Sequence, residues 1–383
     1  MKRLAILFAA LCLILSGCGW LDGTYASVTP HHQQSVEEND SLEVAENYLQ
    51  LRTALENMVS AGVESRVISV VDFRQEQLAD SMDMAVRYVK NSYPIGAYAV
   101  DEIQYEVGTV GGVSAVAVQI SYFHEKYEIQ RIQPVADMEA ARERIHNALK
   151  EYQSGIVLHI DSYLPADIQQ LVEDYAAANP SIIMETPEVS IQLYPETGRE
   201  RVLELKFTYQ SSRDTLRSMR EGVGRIFDSA ALYVSHDARD TQKISQLYSF
   251  LMERFESYQI KTSITPAYSL LNHGVGDSAA FAEVYAEMCR RAGVECLVVV
   301  GTRSGEPWCW NIVQDGGYYY HVDLLDCQVR GGFRCQTDDQ MTDYVWDYST
   351  YPGCTGRPAE AAQAETEGEK VPGGTVPPGE KIN

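Results

Sequence analysis

Three short stretches hold the residue types from which a nucleophilic site could be built: Gly276-Asp277-Ser278, Trp308-Cys309-Trp310-Asn311 and Tyr320-His321-Val322-Asp323. The first lies within residues 274–301, which read as a turn, a helix and a buried strand in quick succession. A group at the first turn of a helix sees the positive end of the macrodipole, which favours an anion. A thiol there tends toward thiolate, whereas a hydroxyl is far less acidic and needs an adjacent base before it attacks anything. An imidazole is the usual base, and a carboxylate fixes its orientation. Ser278, His321 and Asp323 supply these three types, and regular alternation along a strand sends His321 and Asp323 to one face. His273, ahead of Ser278, is a second imidazole that is free to approach or to be solvated. Trp308 cannot serve as the base, because an indole is a donor only.

The elements that position these groups can be read from periodicity. Thr241 to Tyr258 is amphipathic, with Ile244, Leu247, Tyr248, Leu251, Met252 and Phe255 along one face, and it opens the last domain. Trp308, Trp310, Tyr318 and Tyr320 crowd the neighbourhood of the motifs. They form a candidate stacking groove for a peptide or a sugar ring, and the same residues would equally serve to pack the sheet. Alternation places Tyr318 and Tyr320 on one face and Tyr319 and His321 on the other.

Residues 266–326 resemble the transglutaminase-like, papain-related superfamily of cysteine enzymes. In that family a Gly-Asp-Cys or Gly-Val-Cys turn opens a helix and a His-x-Trp-Asn segment follows on a strand. A Tyr-His-x-Asp segment on the next strand then completes a Cys-His-Asp triad. The family cysteine precedes the glycine that ends its helix by fifteen positions, as Ser278 precedes Gly293 here, with Ala282 and Met288 at the expected apolar sites. The resemblance implies that Ser278 stands at the cysteine position and Trp308 at the histidine position, with Asp323 retained. Two of the three triad roles are then vacant. Cys289 lies too far along the same helix to substitute, about 16 Å from Ser278 at 1.5 Å per residue. Cys309 points away from the histidine face and suits a disulfide or a core position. His321 is the candidate rescue base.

The preceding chain looks duplicated. Val67-Ile68-Ser69-Val70-Val71-Asp72 finds an echo in Ile156-Val157-Leu158-His159-Ile160-Asp161, and the helical stretches around Tyr88 and Tyr175 close at Pro94 and Pro180. Ile120-Ser121-Tyr122 corresponds in the same way to Phe207-Thr208-Tyr209. Each unit reads strand, helix, strand, strand, with a closing helix at Asp137–Leu149 in the first and Thr215–Phe227 in the second. A separate helix is expected from Leu42 to Met58. The expected fold is therefore α+β: two tandem strand-helix-strand-strand modules, residues 41–150 and 151–234, followed by a transglutaminase-like α+β domain at 235–354. Residues 355–383, rich in Pro, Gly, Glu and Ala, lack the apolar surface to offset their ordering entropy and are expected to be disordered.

The N-terminus bears on location. Lys2 and Arg3 precede an apolar run, Leu4 to Leu15, that is too short to span a membrane with margin. Leu15-Ser16-Gly17-Cys18 resembles the lipobox of bacterial lipoproteins. That resemblance implies a signal peptide ending at a lipidated Cys18 (residues 1–18), a linker at 19–40 and an anchor on the outer side of a cytoplasmic membrane. A formal net charge of −23 repels phosphate backbones, so nucleic acid is not an expected partner. Cys289, Cys296, Cys309, Cys327, Cys335 and Cys354 form an even set compatible with disulfides, whose pairing is not legible. No paired CxxC spacing suggests a zinc site, and no cofactor or metal is expected. Together these readings describe a cell-surface lipoprotein, a non-catalytic binder or scaffold for peptide or cell-wall ligands. The alternatives are a residual hydrolase or acyltransferase using Ser278 with His321 and Asp323, and a purely structural spacer.

Overall fold

The structure is a computed structural model that describes residues 43–356, apart from 72, 236 and 258–263. The signal peptide, Cys18, the linker and nearly all of the tail expected from sequence lie outside the described residues. The first sheet takes strands β1 (Glu43–Ala45), β2 (Ser65–Val70), β3 (Val100–Val110) and β4 (Val113–Tyr122) in the order β1-β2-β4-β3. Helices α1 (Tyr48–Ala61), α2 (Gln75–Asn91) and α3 (Pro94–Ala99) connect them. The helix expected from Leu42 starts only at Tyr48, because Glu43–Ala45 is strand and the Asn47 side chain caps the helix by accepting from the Gln50 N–H. It stops at Gly62, whose left-handed φ of 59° suits glycine. Gly111 and Gly112, both at positive φ, make the two-residue hairpin between β3 and β4.

A short helix, α4 (Lys126–Ile129), leads into the second sheet. Its strands are β5 (Gln133–Asp137), β6 (Gly155–Ser162), β7 (Glu188–Tyr194) and β8 (Arg201–Thr208), ordered β5-β6-β8-β7. The connecting helices are α5 (Met138–Lys150) and α6 (Ile168–Ala178). Each sheet contains the expected strand, helix, strand, strand run, with one more strand and helix ahead of it. That extra pair moves a boundary. The helix at Asp137–Leu149, read from sequence as closing the first unit, is α5. It is the crossover that the parallel β5–β6 pair requires, and its Ala141, Ile145, Ala148 and Leu149 sit in the second core. The second closing helix behaves alike: α7 (Arg213–Tyr233) sends Leu216, Val223, Phe227 and Ala230 into the core of the last domain.

The last domain packs α8 (Asp240–Met252), α9 (Pro266–His273) and α10 (Ser278–Arg291) against a sheet ordered β13-β12-β11-β14. These strands are β11 (Cys296–Arg303), β12 (Glu306–Asp315), β13 (Tyr318–Val322) and β14 (Tyr344–Trp346). The short strands β9 (Glu256–Ser257) and β10 (Val275–Gly276) pair in parallel, and α11 (Leu324–Val329) follows β13. Apolar residues at helical spacing bury Phe281, Val284, Tyr285 and Met288 of α10 in this core. The other face of the sheet carries a second cluster of Val299, Trp310, Ile312, Tyr344 and Trp346. Gly301 allows β14 to pair here, since a Cβ on it would lie 2.3 Å from the Val345 carbonyl oxygen and 2.9 Å from the Trp310 ring.

The second sheet and the last domain share hydrogen bonds. The Ser181 hydroxyl donates to Glu287 at 2.7 Å, the Thr265 N–H donates to the Met184 carbonyl at 3.1 Å, and Glu185 forms a β-bridge with Ile264. The Glu185 carboxylate also receives the backbone N–H groups of Gln210 and Ser211. Among the described residues no helix is long and apolar enough to cross a membrane.

Candidate functional site

The Gly276-Asp277-Ser278 turn is dictated by local physics. A Cβ at Gly276 would meet Ala280 at 2.7 Å and Leu270 at 3.0 Å, so only glycine lets β10 approach the start of α10 and the side of α9. Asp277 is the N-cap, accepting from the Ala280 N–H at 3.0 Å. Ser278 is then the first helical residue, half-buried, and its Oγ accepts the Cys309 N–H at 3.1 Å. The helix start and β12 are thereby joined beside the hydroxyl.

Asp323 ends β13 as the N-cap of α11, its Oδ1 accepting from the N–H groups of Leu325 and Asp326, both at 3.0 Å. Its Oδ2 accepts from Trp308 Nε1 at 2.7 Å, from the Tyr344 hydroxyl at 2.7 Å and from Arg303 at 3.4 Å. Arg303 also binds Asp326 and lies 5.5 Å from the Trp308 ring centroid and 5.3 Å from that of Tyr344. Burial, and then the neighbouring Asp323 charge, push the Tyr344 phenol far above its ordinary range, so it remains a donor. The carboxylate is 1% exposed and fully engaged by fixed donors. The group it orients is an indole.

His321 stands elsewhere. It is fully buried on the face of the sheet away from α10, accepting from Trp310 Nε1 at 2.9 Å through Nδ1 and meeting Asp338 at 2.9 Å through Nε2. Alternation does carry His321 to the face on which Asp323 finds its donors, since His321 pairs with Ile312 beside Trp310, Trp308 lies two residues before Trp310, and Tyr344 meets both Asp323 and the Trp310 ring. Its hydrogen bonds go to Trp310, Asp338 and the backbone of Gln336, not to Ser278, so the rescue-base role has no geometry behind it. His273 is exposed beside Asn272 and Tyr268. His321, Asp338 and Cys354 bring three ligand atoms within 4.8 Å of one another. An indole N–H donating to Nδ1 leaves the ring proton on Nε2, however, so that nitrogen donates to Asp338 and offers no lone pair to a cation. His159, Asp161 and Glu200 form a second, more exposed group of this kind.

The aromatic groove expected from sequence is not formed as a set. Trp310 is 1% exposed and packs edge-on against Tyr344 and Trp346, which removes it from any groove. Trp308, Tyr318 and Tyr320 are half-buried, and Trp308 is spent on Asp323. Cys309 faces α10 rather than the Trp308 side, and its thiol is raised to about 11 by burial and by Glu283 and Asp277, so it is not a thiolate at neutral pH. All six cysteines of the last domain are free thiols. Sequence reasoning missed Tyr344 and Arg303, the other donors to Asp323, which arrive from β14 and the end of β11.

Residues 228–324 match the family model described as the transglutaminase-like superfamily. They form a transglutaminase-like domain. Three solved structures also show similarity. A TGase is 13% identical over 48% of this chain and 56% of its own, with a TM-score of 0.25. A candidate cysteine protease from Cytophaga hutchinsonii is 11% identical over 39% of this chain and 65% of its own, with a TM-score of 0.25. A candidate protease from Parabacteroides distasonis is 8% identical over 67% of this chain and 39% of its own, with a TM-score of 0.23. The chain thus spans 39% to 65% of the lengths of these proteins. No curated protein matches it.

Two outcomes follow for the transglutaminase-like domain. Trp308→Phe keeps an aromatic ring on this strand and removes the Nε1 donor from a buried carboxylate, so stability should fall by about 1–3 kcal/mol in denaturant titration. An unchanged midpoint would mean that the indole does not hold Asp323. Burial lowers the pKa of His321 below 6.5, with Asp338 opposing. The unfolded chain therefore binds the proton first, and this contribution to stability is present above pH 6.5 and lost as pH falls through the lower folded value. Unfolding titrations between pH 7 and 5 should show that decline, and His321→Gln should flatten it.

Proposed function

We propose that this chain is a lipid-anchored, extracytoplasmic protein whose transglutaminase-like domain binds or scaffolds rather than catalyses. Its triad positions are degenerate: Ser278 occupies the nucleophile position, Trp308 the position of the base, and Asp323 remains. The observation that carries the reading is the 2.7 Å hydrogen bond from Trp308 Nε1 to Asp323 Oδ2. A donor-only indole fills the place where an imidazole would relay a proton. The residual-hydrolase alternative needs a base for Ser278, and the hydrogen bonds of His321 lead to the other face of the sheet.

The matching strand orders of the first two sheets support their reading as duplicated modules. A peptide or cell-wall ligand is the expected partner class, and the charge of −23 disfavours nucleic acid.

Neither the full chain nor Ser278→Cys should hydrolyse amide or ester substrates, because no base is positioned for either nucleophile. Turnover by the unaltered chain that disappears in Ser278→Ala would overturn the non-catalytic reading. Anchoring is checked separately. Metabolic labelling with a fatty acid should mark the unaltered chain and place it in the membrane fraction, and Cys18→Ser should abolish both. A Cys18→Ser chain that stays labelled and membrane-bound would sink the lipoprotein assignment.

A further inference from the structure

Away from Ser278, a cleft of about 460 Å³ opens between α6, α10 and β11. Its walls are mostly apolar, from Ala178, Ala286, Val294, Leu297, Val298 and Val300. That volume falls in the range of small-molecule sites, which favour junctions between packed units and combine apolar walls with a few polar groups. The polar group that stands out in the lining is Glu283. It is 7% exposed, and its Oε2 is fully buried with no hydrogen-bond partner among the described residues. A buried polar atom left unpaired calls for a physical reason.

The neighbours do not supply one. Arg290, the basic residue of the lining, is committed to Glu287 through bonds of 2.7 and 2.8 Å. Arg291 at 2.9 Å and Ser181 at 2.7 Å also serve Glu287. Although burial favours the neutral acid, these partners lower the Glu287 pKa, so Glu287 is a finished ion pair. Glu283 has no such cation. Burial first, and then the Asp277 charge, raise it to about 8. Asp174 and Glu295 add further negative charge to the lining. An anionic guest is repelled, and a cation is drawn toward the buried Glu283 carboxyl, whose Oε2 lacks a partner among the described residues.

We propose that this cleft binds a small organic cation, an alkyl- or arylammonium whose apolar body lies along the valine and alanine walls and whose N–H groups donate to the Glu283 carboxylate. The inference is independent of whether the domain catalyses. The groups facing Glu283 are Asp277, Glu287 and Arg290 on α10, Asp174 on α6, Glu295 and Cys296 at the start of β11, and Cys309 on β12. At pH 7 the carboxyl is mostly protonated. Binding therefore forms an ion pair and releases that proton to solvent, and at pH 9 no proton needs to leave.

The test is calorimetry on the full chain with n-hexylammonium, which stays charged throughout. Saturable binding should tighten about tenfold from pH 7 to pH 9, following the ionised fraction of a group near 8. Release of most of one proton at pH 7 should appear as a dependence on buffer ionisation enthalpy. Glu283→Gln keeps shape and should weaken binding at least tenfold. Ala178→Trp, at an exposed position of the rim, should block the cleft while leaving Glu283 untouched. Hexanol and hexanoate should bind at least tenfold more weakly. The proposal fails if hexylammonium does not saturate, if hexanol or hexanoate binds as well, or if a folded Glu283→Gln chain binds like the unaltered one.

Discussion

The buried carboxylate of Asp323 is the interaction on which the last domain turns. One oxygen closes the start of α11, and the other gathers an indole from β12, a phenol from β14 and a guanidinium from the end of β11. Burying a carboxylate is costly unless its lone pairs are filled, and here every donor is fixed by its own element. Removing one donor would therefore disturb three strands at once. The same saturation leaves the group nothing to exchange. A carboxylate that orients a catalytic base has to let its partner change protonation, whereas this one holds a ring that never does.

The sheet separates two kinds of polar chemistry. On one side, Trp310, His321 and Asp338 form a closed chain whose members are satisfied by one another, with Asp338 Oδ2 also taking the Cys354 N–H at 3.0 Å. Such a network fixes one core arrangement and ties the segment after β14 back to the sheet. On the other side, α10 carries Glu283 to a cleft with no counterpart for its buried oxygen among the described residues. The two faces differ in completeness. The first is finished architecture, and the second retains an unmet demand at a cleft.

What was legible in the sequence was local. The glycine, cap and first-turn serine of residues 276–278 encode their own geometry, and the alternation of Tyr319 and Tyr320 to opposite faces follows from a strand period of two. The face of His321 follows from alternation, but its partners were not legible, because Asp338 and Gln336 come from the irregular segment between α11 and β14. Tyr344 and Arg303 were invisible as site residues, since their convergence depends on β14 pairing beside the glycine of β11. The helices at 138–150 and 213–233 were readable as helices. Their allegiance was not, because periodicity shows an apolar face without naming the core that will cover it. Glu283 illustrates the same limit, for its position on α10 says nothing about the approach of α6.

The hydrogen bonds of Ser181, Thr265 and Glu185 across the junction of the second sheet and the last domain have a mechanical meaning. They stitch the α6 side to the α10 side at several places, so the two jaws of the cleft cannot swing apart as a hinge would. An aperture of fixed gauge discriminates by cross-section rather than by length. For the proposed ammonium guest, the girth of the apolar body that meets the valine and alanine walls would then matter more than its reach.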